Sequence, residues 1–333
     1  MSVLPDYAVR SDDPVRPDRS ALRVGVLYGG DSPERAGSIV SGEAACKALS
    51  AQGVRAELID LTDLDLAALC GRIDVALLAA HGLGGEDGKV QGALDLLGIP
   101  YTGSGVLASA TGMHKMRFKE LMRSDLIDTP RWVDISPSWS TETTISTAAL
   151  TLGYPLFLKP VSGGGSLAAG IARNSTELRD LLTQARERPY DGYMIEEYVP
   201  GTPCTVGVLE TDGELDTLPV HAVETDRPFY DYDAKHDLSL RRETCPAPLP
   251  DLVTTRLTQL ALRAHRRIGA HGVSRVDFLV SPDGRTPMLE INTVPGLSPN
   301  GNLATMAAAA GIPYEEMILR VLDTAFTKPA YVP

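Results

Sequence analysis

The chain has 333 residues, 43% of them hydrophobic, enough to build the cores of two or three domains. Its net charge of −12 argues against nucleic-acid or anionic-membrane partners, which need a broad basic surface, so any phosphate ligand has to be met by locally placed cations. No apolar run reaches the length of a membrane span and the N-terminus lacks the apolar core of a signal peptide, which leads to the expectation of a cytoplasmic protein.

Residues 1–21 are rich in Pro, Asp and Arg and read as a flexible arm. From Leu22 the pattern becomes β-α-β: RVGVLYGG is a buried strand, residues 38–52 a helix, and RAELIDL and VALLAAHG two further strands of an open parallel sheet. Ligands of such sheets sit beyond the carboxyl ends of the strands, where the GGDSPER and HGLGGEDG turns leave. Helices follow at 91–97 and around 113–123, with a boundary near Gly105. Residues 106–196 form a central unit with the strand YPLFLKP, the glycine-rich VSGGGS and the strand ending MIEEYV. Residues 197–327 form the last, with helices at 251–268 and 304–324, followed by a tail at 328–333. The scattered Cys46, Cys70, Cys204 and Cys245 form no CxxC pair, so buried thiols are the simplest reading.

The most informative stretch is VSRVDFLVSPDGRTPMLEIN, residues 273–292. Asp283-Gly284 between two alternating apolar runs predicts a two-residue hairpin. That turn places Asp277 opposite Glu290 and Arg275 opposite Asn292, all on one face. Two carboxylates so close repel unless a proton or cation lies between them, and with an amide oxygen they make a hard-oxygen set suited to magnesium; a salt-bridge cluster around Arg275 is the alternative.

Other motifs are weaker singly. Lys159 ends a strand before Gly163, Gly164, Gly165 and Ser166, an anion cradle or an ordinary turn, and not a P-loop. Lys115 shares a helix with Arg117 and Lys119, a cluster that usually means a solvated face. Glu196 and Glu197 follow an apolar strand and could meet an adenine amino group or a ribose, or simply solvent. His81 lies at a strand-to-loop edge. Glu34 and Arg35 sit at a helix start, where a carboxylate is either a cap or an ammonium ligand. FYDYDAKH, residues 229–236, reads as a lid over a polar ligand or as a hydrophobic anchor.

Taken together, GGDSPER, AAHGLGGEDGKVQGALDLLGIPYTGSGVLAS, LKP with its glycine loop, FYDYDAK, SRVDFLV and LEINTVPGLS resemble, in order and spacing, the D-alanine:D-alanine ligases of the ATP-grasp superfamily, over residues 23–324. The resemblance implies an α/β three-domain ATP-grasp fold with ATP between the central and C-terminal domains, and a homodimer. It implies ATP-driven joining of two D-alanines through an acyl phosphate, with magnesium, two ions in the fullest form, and manganese able to substitute. Carried over by position, Lys115, Lys159, Gly165 and Ser166 contact nucleotide and phosphates, Glu196 and Glu197 lie by the adenine, and Lys235 reaches the γ-phosphate. Asp277, Glu290 and Asn292 hold the metal. Glu34 takes the first substrate's ammonium, His81 lies beside that substrate, and Arg275 with the Gly296 backbone N–H stabilises the oxyanion.

The chain departs from the family pattern in four places. Gly165 and Ser166 stand where two serines are usual, His236 replaces the lid's final tyrosine, and Pro203 replaces an acid near the ribose. Asn302-Leu303 replaces the serine-leucine pair that holds the second substrate's carboxylate, after a one-residue insertion beyond Pro295. The acceptor side therefore admits a specialised ligase of antibiotic biosynthesis or self-resistance, or a depsipeptide ligase with a hydroxy-acid acceptor, since imidazole titrates near neutral pH. A degenerate nucleotide-binding regulator would lose metal ligands or Arg275 first, and all are present. A biotin-type carboxylase shares only the nucleotide features.

Overall fold

The computed structural model describes residues 17–62, 64–164, 168–188 and 190–328, and of His236 and Leu238 the backbone only. Gly165, Ser166 and residues 1–16 and 329–333, on which parts of the expected glycine loop, arm and tail fall, lie outside the described residues. The elements in order are β1 (Arg23–Tyr28), α1 (Arg35–Ala51), β2 (Arg55–Asp60), β3 (Val75–Leu78), α2 (Lys89–Leu97), α3 (Val106–Met113) and α4 (Lys115–Ser124). Then come β4 (Trp132–Asp134), α5 (Thr141–Leu152), β5 (Leu156–Pro160), β6 (Gly170–Ala172), α6 (Ser175–Arg186) and β7 (Tyr193–Glu197). The chain finishes with β8 (Thr202–Thr211), β9 (Glu214–Thr217), β10 (His221–Glu224), α7 (Tyr232–His236), β11 (Arg242–Thr244), α8 (Asp251–Arg267), β12 (Val273–Val280), β13 (Met288–Asn292), α9 (Asn302–Ala309) and α10 (Tyr314–Thr327).

Three sheets organise these elements. The first is parallel, in the order β2-β1-β3, and buries β1 and β3 almost end to end, as a parallel sheet covered on both faces must. Helices α1, α9 and α10 pack on one side with Val24, Val26 and Leu77, and this core also takes in Leu209 and Val273 of the third sheet. The second sheet is antiparallel, β4-β7-β5-β6, backed by α5 and α6 through Ile145, Leu158, Leu178 and Ile195. The third is β11-β10-β8-β12-β13 with β9 on β8. Helices α3, α4 and α8 pack on it through Ala108, Phe118, Met122, Leu257 and Phe278, so the 106–124 segment leans on the third sheet rather than on the second.

Four local expectations are corrected. The register of residues 273–292 is as read, Arg275 opposite Asn292 and Asp277 opposite Glu290, but residues 281–287 connect the strands and a bulge follows Asp277, so the turn is not a two-residue one. The helix read at 304–324 is two, because Gly311 takes φ +78° and Pro313 begins the next turn. The four cysteines are free, but only Cys204 is buried and Cys70 is exposed. The last residues of the arm are tied down: Arg19 Nε donates to Asp323 of α10 at 2.9 Å.

Candidate active site

Where the three sheets meet lies a cavity of about 810 Å³. Its size suits a nucleotide with a small second ligand. Glu34, His81, Lys159, Gly164, Glu196, Glu197, Lys235, Arg275, Asp277, Glu290, Asn292, Gly296 and Asn302 all line it. Pro203 lies in the same wall, on β8.

The register of β12 and β13 creates the centre of charge. Arg275 and Asp277, two residues apart on β12, share a face and form a two-pronged pair, Nε to Oδ1 and Nη2 to Oδ2, both 2.9 Å. Thr205 of the neighbouring β8 donates its hydroxyl to Asp277 Oδ1 at 2.6 Å. Asn292 Oδ1 accepts from the Val294 N–H at 3.1 Å, which fixes the amide and leaves a second lone pair. Burial pushes the Glu290 carboxyl up, but Lys115, Lys159, Lys235 and Arg275 overcome it and hold the group down to about 2. Burial likewise lowers the Lys235 ammonium, opposed by Glu290 and Asp277.

The lysines come from three elements, α4, β5 and α7. Lys115 opens α4, is buried, lies 3.4 Å from Glu290, and donates to the Gly163 carbonyl. Lys159 ends β5 and pairs with Glu196 Oε2 at 2.9 Å. The other oxygen of Glu196 meets Lys119, one helical turn beyond Lys115 and fully buried. Burial raises the Glu196 carboxyl, and these two lysines more than reverse it. Burial also drops the Lys119 ammonium to about 8. Of the cluster on α4, only Arg117 has the solvated place that a charged helix face suggests, paired with Glu120 at 2.8 Å. Glu197 is held between Arg131 at 2.7 Å and Arg285 at 3.1 Å.

The first sheet supplies the opposite wall. Glu34 stands at the start of α1 but makes no cap bond, which removes the capping alternative. Its Oε1 instead accepts from the Gly164 N–H at 3.0 Å, linking the first unit to the glycine loop. A Cβ at Gly164 would lie 2.8 Å from the Glu34 carboxylate, and one at Gly82, where φ is +76°, also 2.8 Å, so glycine at both lets two loops close on one side chain. Arg35 is a scaffold residue, bound to Asp60 at 2.6 Å. His81 is held at both nitrogens, Nε2 by Ser41 at 2.9 Å and Nδ1 by the Val294 carbonyl at 3.1 Å. Burial brings its imidazole down to about 4, so it is neutral at pH 7.

Two groups of this site receive no role from the sequence pattern. Lys119 was masked by its charged neighbours. Glu86, in the HGLGGEDG turn, is buried, and its Oε2 has no hydrogen-bond partner. Burial and Glu34 raise its carboxyl, against the pull of Arg275 and Lys115. On the remaining side Asn302 begins α9, whose first intrahelical bond is Thr305 N–H to Gly301 C=O, so the N–H groups of Asn302 and Leu303 precede the ladder. The Leu303 side chain itself is 1% exposed and packs in the core, away from the cavity. Helix α7 brings Tyr232 and Lys235 into the cavity lining, and the backbone of His236 ends that helix.

Comparison with known proteins matches this architecture. Residues 121–323 fit the D-ala D-ala ligase C-terminus model and residues 60–104 the D-ala D-ala ligase N-terminus model. A D-alanine–D-alanine ligase of Alkalilimnicola ehrlichii is 41% identical over 90% of this chain and 93% of its own length. A D-alanine–D-alanine ligase of Bacillus anthracis, solved in complex with ATP, superposes with a TM-score of 0.78 at 33% identity, covering 92% of this chain and 97% of that one. The VanG D-Ala:D-Ser ligase of Enterococcus faecalis does so with a TM-score of 0.75 at 25% identity, covering 91% and 99%. The chain belongs to the D-alanine–D-alanine ligase family, within the ATP-grasp superfamily.

Proposed function

We propose that the protein is an ADP-forming ligase that joins D-alanine to a second D-alanine at the expense of ATP. The observation that carries the site assignment is the convergence of four cations on Glu290 beside Asp277: Lys159, Lys235 and Arg275 line the cavity with it, and Lys115 reaches it from α4 at 3.4 Å. Such a cluster balances the charge that gathers when a phosphoryl group passes between anions. A D-alanine carboxylate oxygen attacks the γ-phosphorus of ATP, ADP departs, and the poor electrophile becomes an acyl phosphate. The amine of the second substrate then attacks the carbonyl, loses a proton, and inorganic phosphate leaves. Glu34 is assigned to the first ammonium, neutral His81 to its flank, and Arg275 with the Gly296 N–H to the oxyanion. Lys159 and Lys115 serve the phosphates.

The donor set of Asp277, Glu290 and Asn292 fits magnesium. Among the described residues no three His, Cys, Asp or Glu side chains form a ready metal cage, so nucleotide phosphate oxygens and water would complete the shell. When bound, the ion would draw charge from the transferred phosphoryl group. Among the described residues no helix is long and apolar enough to cross a membrane, and the use of ATP supports a cytoplasmic location.

A second reading changes the acceptor only. Asn302 lines the cavity at the start of α9, an end suited to a carboxylate, and the D-Ala:D-Ser neighbour belongs to the same fold. A panel of D-amino and D-hydroxy acids decides between them. ADP release that depends on D-alanine, with D-alanyl-D-alanine as the main product by mass spectrometry, is the expected result. ADP release without dependence on D-alanine would overturn the proposal.

A further inference from the structure

The lid helix α7 has only five residues, too few to hold itself together, yet it carries Lys235. Its start is fastened locally: Asp231 Oδ1 accepts from the Ala234 N–H at 3.0 Å, and Asp231 Oδ2 from Arg227 Nε at 2.5 Å. Its end is fastened by a residue outside the lid motif. Arg241 Nη1 donates to the Ala234 carbonyl at 2.9 Å and also to the Lys235 carbonyl, two groups that a helix end leaves unpaired. The same guanidinium is gripped from behind, Nε to Glu243 Oε1 at 2.5 Å. Glu243 lies on β11 opposite Val223 of β10, which puts it on the face of His221, and its Oε2 lies 3.6 Å from Nε2 of that fully buried imidazole. The Arg241 side chain is 7% exposed and lines the same cavity as Lys235.

We propose that Arg241, braced by Glu243 against His221, is the positioning residue of the lid: it fixes the end of α7 and thereby aims Lys235 at the phosphate site. A guanidinium suits this task, because one planar fork can serve two carbonyls and a carboxylate at once. The inference rests on the assignment of Lys235 to the γ-phosphate. Its consequence is kinetic. A loosened lid admits water, and the acyl phosphate is then hydrolysed to D-alanine and phosphate before the amine attacks.

The test compares the full-length protein with Arg241→Met, Arg241→Lys and Glu243→Gln. Phosphate released per dipeptide formed should be near one in the parent and rise several-fold in Arg241→Met, while kcat for ligation falls about tenfold and the KM for ATP hardly moves. Arg241→Lys and Glu243→Gln should lie between. Brief trypsin digestion should release the fragment ending at Lys235 faster from Arg241→Met, although that change itself removes a cleavage site. A raised KM for ATP with intact coupling would make Arg241 a nucleotide ligand and overturn the proposal, as would unchanged coupling and digestion. If Arg241→Met does not fold, parent-like behaviour of both other variants overturns it. Normal turnover of Lys235→Ala would sink the Lys235 assignment alone, since the digestion still reports on the latch.

Discussion

The two ends of the cavity are built differently. At the end assigned to the nucleotide, Lys235 on α7 apart, the charged groups stand on strands or on α4 and are held by at least one opposite charge: Arg275 by Asp277, Glu290 by Lys115, and Glu196 by two lysines. At the acceptor end the groups sit on the five-residue α7, on the residues after Gly296 and at the first turn of α9. The first arrangement tolerates little change, because removing one charge strands another in a buried site. The second can change one residue at a time. That contrast predicts where substitutions abolish the reaction and where they only redirect it.

The largest effect should come from Glu290→Gln. It keeps the shape but removes the carboxylate on which four cations converge, and ATP turnover should fall by roughly 10³-fold or more. Near-normal turnover at ordinary magnesium, with unchanged circular dichroism, would take the β12–β13 face out of the mechanism.

Next is Arg275→Ala. If Arg275 serves the oxyanion as proposed, its charge is needed chiefly when the carbonyl becomes tetrahedral, so the ligation step should lose about 3 to 4 kcal/mol while ATP binding is retained. Weaker ATP binding with kcat preserved would show instead that the residue serves only to hold Asp277.

The same contrast explains what the sequence revealed. Strand period and register are local, so Asp277, Glu290, Arg275 and Asn292 could be placed together from alternation alone, even though the turn at 281–287 is longer than two residues. Lys119 obeys an equally simple rule, four residues beyond Lys115, but whether a helical charge faces water depends on what packs there, and here that is Glu196. Glu86 and the Glu34–Gly164 bond arise from loops meeting across units, which no short-range pattern encodes. The break between α9 and α10 was visible as Gly311 and Pro313, outweighed by the alanine-rich run before it.

A third, smaller effect concerns pH. Burial lowers both His81 and His265 from 6.5 to about 4. The unfolded chain then binds more protons than the folded one between those values. Their contribution to stability is therefore complete above pH 6.5 and is lost as pH falls toward 4, by about 1.4 kcal/mol per pH unit for each histidine. Glu34 and Glu86, raised by burial, pull the other way, so the comparison is with His81→Asn. Urea unfolding between pH 6.5 and 5 should show a shallower acid loss in that variant. Identical slopes would mean that the imidazole is not held neutral.

The smallest effect lies at the acceptor end and tests whether that end only redirects. Asn302 opens α9 at the cavity wall, where a serine hydroxyl would be a compact donor to an acceptor carboxylate beside the free helix N–H groups. Asn302→Ser should tighten D-alanine as second substrate by about 1 kcal/mol, the worth of one recovered hydrogen bond. The backbone of His236 ends α7, and a tyrosine there would substitute a neutral phenol for an imidazole, a group that ordinarily titrates near pH 6.5. His236→Tyr should therefore favour an ammonium acceptor over a hydroxy acid more at pH 6 than at pH 8. Acceptor KM and product identity for the two variants and their combination settle the matter. If all three match the parent in preference and pH profile, the two residues play no part in choosing the acceptor, and the plasticity expected of that end is absent.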